Sequence, residues 1–283
     1  MSQENMLPAG LTLGPVRLQV ADLDRSLAFY TSVLGLRIAE QHAGGATLAA
    51  ADVPLVILQE RPGARRVRRR GHLGLFHFAI LLPDRGALGA FLTHLAPLKV
   101  ALGASDHLVS EALYLHDPDG LGIEVYADRP EETWQRARGA LVMDTRPLDI
   151  EGVMAEAEGI PWRGMPAGTR MGHMHLHVGD LEAAAGFYRD TLGFEITSAG
   201  YPGALFLAAG NYHHHLGVNT WAGPDAPQPT DADARLLEWE LRMPAGEVDA
   251  AASRLLAAGA AVERVEGGIR TSDPWGTSLV VRG

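Results

Sequence analysis

Phe29, Val33 and Leu34 form an apolar stripe at helical spacing, set between two strand-like runs. The stretch that carries them is Val20-Ala-Asp22-Leu23-Asp-Arg-Ser-Leu-Ala-Phe29-Tyr30-Thr-Ser-Val-Leu34-Gly35-Leu-Arg-Ile38. It returns as Val178-Gly-Asp180-Leu181-Glu-Ala-Ala-Ala-Gly-Phe187-Tyr188-Arg-Asp-Thr-Leu192-Gly193-Phe-Glu-Ile196. Both copies read as strand, Asp N-cap, amphipathic helix, glycine stop and strand. Asp22 and Asp180 can accept from free helix N–H groups, and Gly35 and Gly193 are placed to end the helices. A weaker repeat follows each copy. Leu75 to Pro83 predicts a strand and Arg85–Leu95 a helix; Leu237 to Pro244 and Glu247–Ala258 match them. Each of these closes on a turn of one kind, Asp117-Pro118-Asp119-Gly120 and Asp273-Pro274-Trp275-Gly276.

The pattern therefore predicts an α+β chain of four units, at about 12–62, 72–128, 171–222 and 235–282, each a strand, a helix and about three strands. Units one and two are expected to form a first domain over 10–128, and units three and four a second over 171–283. Residues 129–170 read as a linker, with a short helix over Asp149 to Ala157 and a loop rich in Pro and Gly from Ile160 to Arg170. A second loop, 222–233, carries three prolines between units three and four.

One hairpin does not fit a purely structural reading. Leu113-Tyr114-Leu115 predicts one strand and Ile123-Glu124-Val125-Tyr126 the next, with Asp117 to Gly120 turning the chain. Glu124 stands between Ile123 and Val125 in an otherwise apolar strand. A buried carboxylate without a partner is very costly, so Glu124 calls for a place at a surface edge or for a metal.

Composition narrows the function. A net charge of −10 argues against a general nucleic-acid binder, which needs excess Lys and Arg. The single basic run, Arg61 to Arg70, reads as a solvated loop. The absence of Cys rules out disulfides and thiolate chemistry. No apolar run is long enough to predict a membrane span. Met1 to Asn5 lacks the basic and apolar regions of a signal peptide, so a cytoplasmic location is expected.

Four βαβββ units paired as half-barrels resemble the vicinal-oxygen-chelate superfamily. That group includes glyoxalase I, the fosfomycin- and bleomycin-resistance proteins, and the type I extradiol ring-cleaving dioxygenases. The extradiol signature is met by His107, Leu113-Tyr114, Asp117-Pro118, Gly120 and Glu124. Ser105 departs from it, where the family prefers Gly, Asn, Thr or a β-branched apolar residue. Phe76 to Asp84, Gly172 to Val178 and Tyr212 to Asn219 resemble the bacterial catechol 2,3-dioxygenase branch.

The superfamily places ligands on the first and last strands of paired units. Carried onto this sequence, the first-strand positions are Pro15, His77, His173 and Glu238, and the last-strand positions include Glu124 and Val280. Units one and four supply Pro15 and Val280, so the expected site pairs units two and three through His77, His173 and Glu124. Two imidazoles and one carboxylate suit non-haem Fe(II), with positions open for substrate and O₂. The runner-up set is His173, His214 and Glu238, from units three and four.

The resemblance implies a small aromatic diol and O₂ as substrates, Fe(II) as cofactor with Mn²⁺ as the alternative, and a homo-oligomer. It also implies His214 as the acid–base residue, Tyr114 as a hydrogen-bond partner of a substrate oxygen, and His107 over the ring. His213-His214-His215 reads as part of a strand in which His214 faces away from its neighbours. His175 and His177 are expected to tune the site, Trp134 or Trp221 to wall it, and His42, His72, His94 and His116 to lie at the surface or in packing. The rival readings on the same fold are a glyoxalase-like lyase or transferase using another metal, and a metal-free binding protein that sequesters small molecules.

Overall fold

The computed structural model describes residues 6–67, 71–223 and 225–283. Met1 to Asn5, the arginines 68–70 that end the basic run, and Pro224 of the proline-rich loop lie outside the described residues.

Unit one contains β1 (Thr12–Leu13), β2 (Val16–Val20), α1 (Leu23–Ser32), β3 (Arg37–His42), β4 (Gly45–Ala50) and β5 (Val53–Glu60). Unit two contains β6 (Gly74–Leu81), α2 (Arg85–Leu95), β7 (Gly103–Asp106), β8 (Ser110–His116) and β9 (Gly122–Asp128). The linker carries the short strands β10 (Arg136–Ala137) and β11 (Ala140–Leu141) and the helix α3 (Ile150–Glu156). Unit three contains β12 (Arg170–His177), α4 (Leu181–Ala185), β13 (Glu195–Ser198), β14 (Ala204–Ala208) and β15 (Leu216–Asn219). Unit four contains β16 (Arg235–Arg242), α5 (Ala245–Ala257), β17 (Glu263–Val265), β18 (Gly268–Ser272) and β19 (Ser278–Arg282).

The caps expected at Asp22 and Asp180 form, and Asp84 caps α2 in the same way. The Asp22, Asp84 and Asp180 carboxylates accept from the backbone N–H three residues on, at 2.9, 2.8 and 2.7 Å. The helix ends differ between the two strong repeats. In unit one the helix stops at Ser32, and Gly35 follows at φ +75°. In unit three Gly186–Leu192 continues α4 as a π-helix, which Gly193 ends at φ +106°.

The units do not form sheets in chain order. One sheet runs β17-β18-β19-β16-β2-β5-β4-β3, with β1 also on β16, and so joins units one and four. The other runs β13-β14-β15-β12-β6-β9-β8-β7 and joins units two and three. Each sheet is thus two βαβββ units whose first strands meet antiparallel at the centre: β16 on β2, and β12 on β6. Neither sheet consists of units one and two, or of three and four.

Those sequential pairs are joined by a different device. The Tyr30 hydroxyl, on the unit-one helix, donates to Asp117 in the turn of unit two at 3.3 Å. Tyr188, its repeat, donates to Asp273 in the turn of unit four at 2.9 Å. Asp119 adds to the first clamp by accepting from the Ala21 N–H at 2.8 Å and pairing with Arg25. Tyr30, Tyr188 and Asp119 are all buried. The repeated Phe-Tyr motif therefore has two uses. Its helical face fills the core, and its tyrosine holds the acidic turn of the next unit. Leu18, Leu48, Phe78, Val125, Leu176, Val218, Leu241 and Leu279, from all four units, belong to one continuous apolar core.

Candidate functional site

The centre of the second sheet sets the site. β6 and β12 run antiparallel, with His175 opposite His77 and His173 opposite Ala79. β9 lies parallel beside β6 and puts Glu124 next to Ala79. β8 puts Tyr114 directly opposite Glu124. These registers bring three of the expected residues together. His77 Nε2 lies 2.9 Å and His173 Nε2 3.2 Å from the same oxygen, Glu124 Oε2. Their exposures are 5%, 2% and 2%, so all three donors are withdrawn from solvent. Among the described residues they are the one group of His and acidic side chains converging within 4.8 Å.

The donor set fits a small cation. Two ligands about 2.1 Å from a common ion and at right angles stand about 3 Å apart, which is the spacing seen here. His77 Nε2 is buried and forms no hydrogen bond of good geometry despite its closeness to Glu124. Burial pushes the His173 imidazole down to about 4, against the pull of Glu124, and so favours its neutral, ligating form. Burial would raise the Glu124 carboxyl, but the charge and hydrogen bond of His173, together with His77, hold it well below the usual range. Gly172, just before His173, leaves the space taken by the Tyr126 hydroxyl; a Cβ there would collide with it.

A cavity of about 220 Å³ opens on these donors. Phe206, Tyr201, Trp221 and Met143 form apolar parts of its wall, and Tyr114, His107, His175 and His214 add polar groups. His107 Nδ1–H donates to the Asp144 carbonyl at 2.9 Å, so its Nε2 accepts from the Tyr114 hydroxyl at 2.6 Å. Burial, then the charge of Glu124, raises the Tyr114 hydroxyl well above its usual pKa. Burial and the neighbouring His77 push His175 well down. Asn219 donates to His175 Nε2 at 3.0 Å and accepts from His177 at 2.6 Å, joining both histidines to the end of β15.

The histidine triplet departs from expectation. It is not in a strand. Gly210 turns at φ +67°, and the chain re-enters the sheet only at Leu216. Strict alternation therefore does not hold, and His213 and His214 face each other, Nδ1 to Nδ1, at 2.7 Å. The His214 ring packs on His173 with centroids 4.1 Å apart and lines the cavity. Burial, then His173, pushes His214 well below the ordinary imidazole range. His215 turns away and accepts from the Ala209 N–H at 3.2 Å.

The runner-up set is not assembled. Glu238 lies on β16 in the other sheet, and its carboxylate pairs with Arg17 and Arg270, both at 3.2 Å. Trp221 walls the cavity, whereas Trp134 packs behind it against His213 with centroids 5.3 Å apart. His94 bonds the carbonyls of Ser32 and Val33 at the end of α1, and His42 is exposed. The sequence reading missed Asn219, Tyr201, Phe206 and the linker residues Met143, Asp144 and Thr145, all of which serve the site. Only Asn219 carried a local signal, as a polar residue closing an apolar strand.

This pairing of βαβββ units around a buried His, His, Glu cluster defines a class. The chain belongs to the Glyoxalase/Bleomycin resistance protein/Dioxygenase superfamily, whose model matches residues 12–125 and 170–277. Within that class it is 47% identical to the Catechol-2,3-dioxygenase of Bacillus subtilis (strain 168), over 268 residues and 93% of each chain. Among solved structures it resembles a putative dioxygenase from Bacillus subtilis (TM-score 0.65, 16% identity, 98% of this chain and 86% of that one). It also resembles glyoxalase I from Zea mays (TM-score 0.56, 16% identity, 96% and 92%). These two likenesses speak to the fold.

Proposed function

We propose that this chain is an extradiol ring-cleaving dioxygenase that opens a catechol-type aromatic diol with O₂, using Fe(II) held by His77, His173 and Glu124. The observation that carries the reading is the convergence of two imidazole nitrogens and one carboxylate oxygen on a buried, aromatic-walled cavity. Similarity to the Bacillus subtilis enzyme supports the reaction class.

Bound there, Fe(II) supplies a Lewis acid for the adjacent diol oxygens and the electron route between diol and O₂. The protein supplies the rest. Phe206, Tyr201 and Trp221 offer flat faces to an aromatic ring and keep water out. His214 is held neutral by burial, so at neutral pH its imidazole has a lone pair to offer a phenolic proton and, as a weakened base, it gives that proton up readily to the leaving oxygen. Tyr114 stays protonated and, with its one hydrogen given to His107 Nε2, leaves its hydroxyl oxygen to accept from a diol hydroxyl above Glu124. His107 holds that hydroxyl in place from the far side and lies over the ring.

The test is anaerobic loading with Fe(II), followed by catechol in air. A yellow ring-opened product is expected, and parallel loading with Mn²⁺ asks whether that metal substitutes. Stoichiometric iron uptake without any yellow product from a panel of catechols would overturn the assignment.

A further inference from the structure

The polar chain behind His214 has no part in the reading above. Asp128, at the end of β9, takes the His213 imidazole through Nε2 at 2.8 Å. Its two oxygens also accept from the Tyr212 hydroxyl at 3.3 and 3.1 Å. That proton being spent, the Tyr126 hydroxyl donates to Tyr212 at 2.7 Å. His213 is fully buried, and the Thr197 hydroxyl pins its backbone by donating to the His213 carbonyl at 2.6 Å. Tyr212, Trp134 and Tyr126 box the ring, with centroids at 4.1, 5.3 and 6.1 Å.

Donor arithmetic then sets where the protons sit. A carboxylate only accepts, so His213 Nε2 carries a hydrogen. A neutral His213 therefore has a bare Nδ1. The 2.7 Å contact between the two Nδ1 atoms needs one hydrogen, and it must come from His214. Among the described residues His214 hydrogen-bonds through Nδ1 alone, so its Nε2 carries the free lone pair. The opposite tautomer would put an N–H on His214 Nε2, and that atom could take no proton from a substrate.

We propose that Asp128 and His213 are positioning residues that lock His214 in the tautomer with a bare Nε2. The proposal rests on the base role given to His214 above, and it deepens that role. The same strand that provides Glu124 provides the anchor of the lock four residues later, so β9 sets the ligand and the base together.

The tautomer can be read without turnover. In full-length protein loaded with diamagnetic Zn²⁺, long-range ¹H–¹⁵N correlation of the histidines should show His214 protonated at Nδ1. His213→Phe keeps the ring volume but removes the acceptor, and should move His214 to the Nε2–H form. In the iron-loaded enzyme the same change should lower kcat about 100-fold, with KM and iron content within about two-fold of the parent. His213→Asn restores an acceptor oxygen near the lost Nδ1 and should recover the Nδ1–H form and part of kcat. An Nε2–H signal for His214 in the parent protein would overturn the proposal. So would a tautomer unchanged in His213→Phe. If the parent makes no yellow product yet shows the expected tautomer, the dioxygenase reading fails and the lock stands.

Discussion

Asp117 offers a clean test of how the acidic turn is held. Its carboxylate is 2% exposed, and one oxygen accepts from the backbone N–H groups of Asp119 and Leu121 at 2.9 and 2.8 Å. The other faces the Tyr30 hydroxyl. Burial, with the charge of Asp119 added, pushes the carboxyl from 3.8 up to about 7, against the two backbone N–H bonds. The folded chain therefore holds a proton that the unfolded chain has lost, and stability falls as pH rises between the two values. Each pH unit in that window costs about 1.4 kcal/mol, so the gap of about three units approaches 4 kcal/mol at neutral pH and then levels. Asp117→Asn has the same shape, keeps the oxygen for both N–H groups and can donate to Tyr30. Urea unfolding at pH 4, 5, 6, 7 and 8 should show the two proteins nearly equal at the acid end. The variant should then gain about 1.4 kcal/mol per unit up to pH 7, with a plateau above it. Every other titrating group cancels in the difference. A difference without a pH trend, or a less stable Asn variant at pH 8, would refute the reasoning.

Four further outcomes are expected. His77→Ala should abolish iron retention, measured by metal analysis after desalting, whereas Glu238→Ala should leave it intact because that carboxylate serves Arg17 and Arg270. Tyr114→Phe should lower kcat about ten-fold with iron content unchanged, as one hydrogen bond at the diol oxygen is lost. Gly172→Ala should destabilise the fold by about 1–3 kcal/mol in denaturant titration, and Tyr126→Phe in the same chain should recover part of that by removing the clashing hydroxyl. Tyr188→Phe should cost about 1 kcal/mol or more, since it leaves Oδ2 of the buried Asp273 without its donor while the backbone N–H groups of Trp275 and Thr277 still serve Oδ1.

How much of this was legible depends on the range of the interaction. The caps at Asp22 and Asp180 are contacts three residues apart, and the sequence displays them directly. His77, His173 and Glu124 stand at the ligand positions that the superfamily resemblance carries onto the repeats, so they could be named once the repeats were seen. The assembly of the sheets was written differently. Pro15 and Val280 at two ligand positions hinted that units two and three belong together, although the continuous spans 10–128 and 171–283 suggested otherwise. The histidine triplet was misread because Leu216-Gly217-Val218 continues it as an apolar run. The positive φ at Gly210 delays the strand, and nothing local shows by how much. Met143, Asp144 and Thr145 were missed for a plainer reason. Asp144 serves His107 through a backbone carbonyl, which every residue type possesses.

The nested order of the sheets bears on how the chain is made. Units two and three are neighbours, so their sheet can close as soon as β15 has formed. Unit one is synthesised first and paired last. Arg17 waits for Glu238, 221 residues away. The loop-closure cost of that distance is modest, since each doubling of a loop adds only about 0.6 kcal/mol. The exposure is the greater concern, because until unit four arrives one edge of β2 has bare N–H and C=O groups, an invitation to intermolecular pairing. Cutting the chain after Asn219 would leave the strands of the candidate metal centre complete and that edge permanently open. Such a fragment should aggregate through β2 even while its histidines still face Glu124.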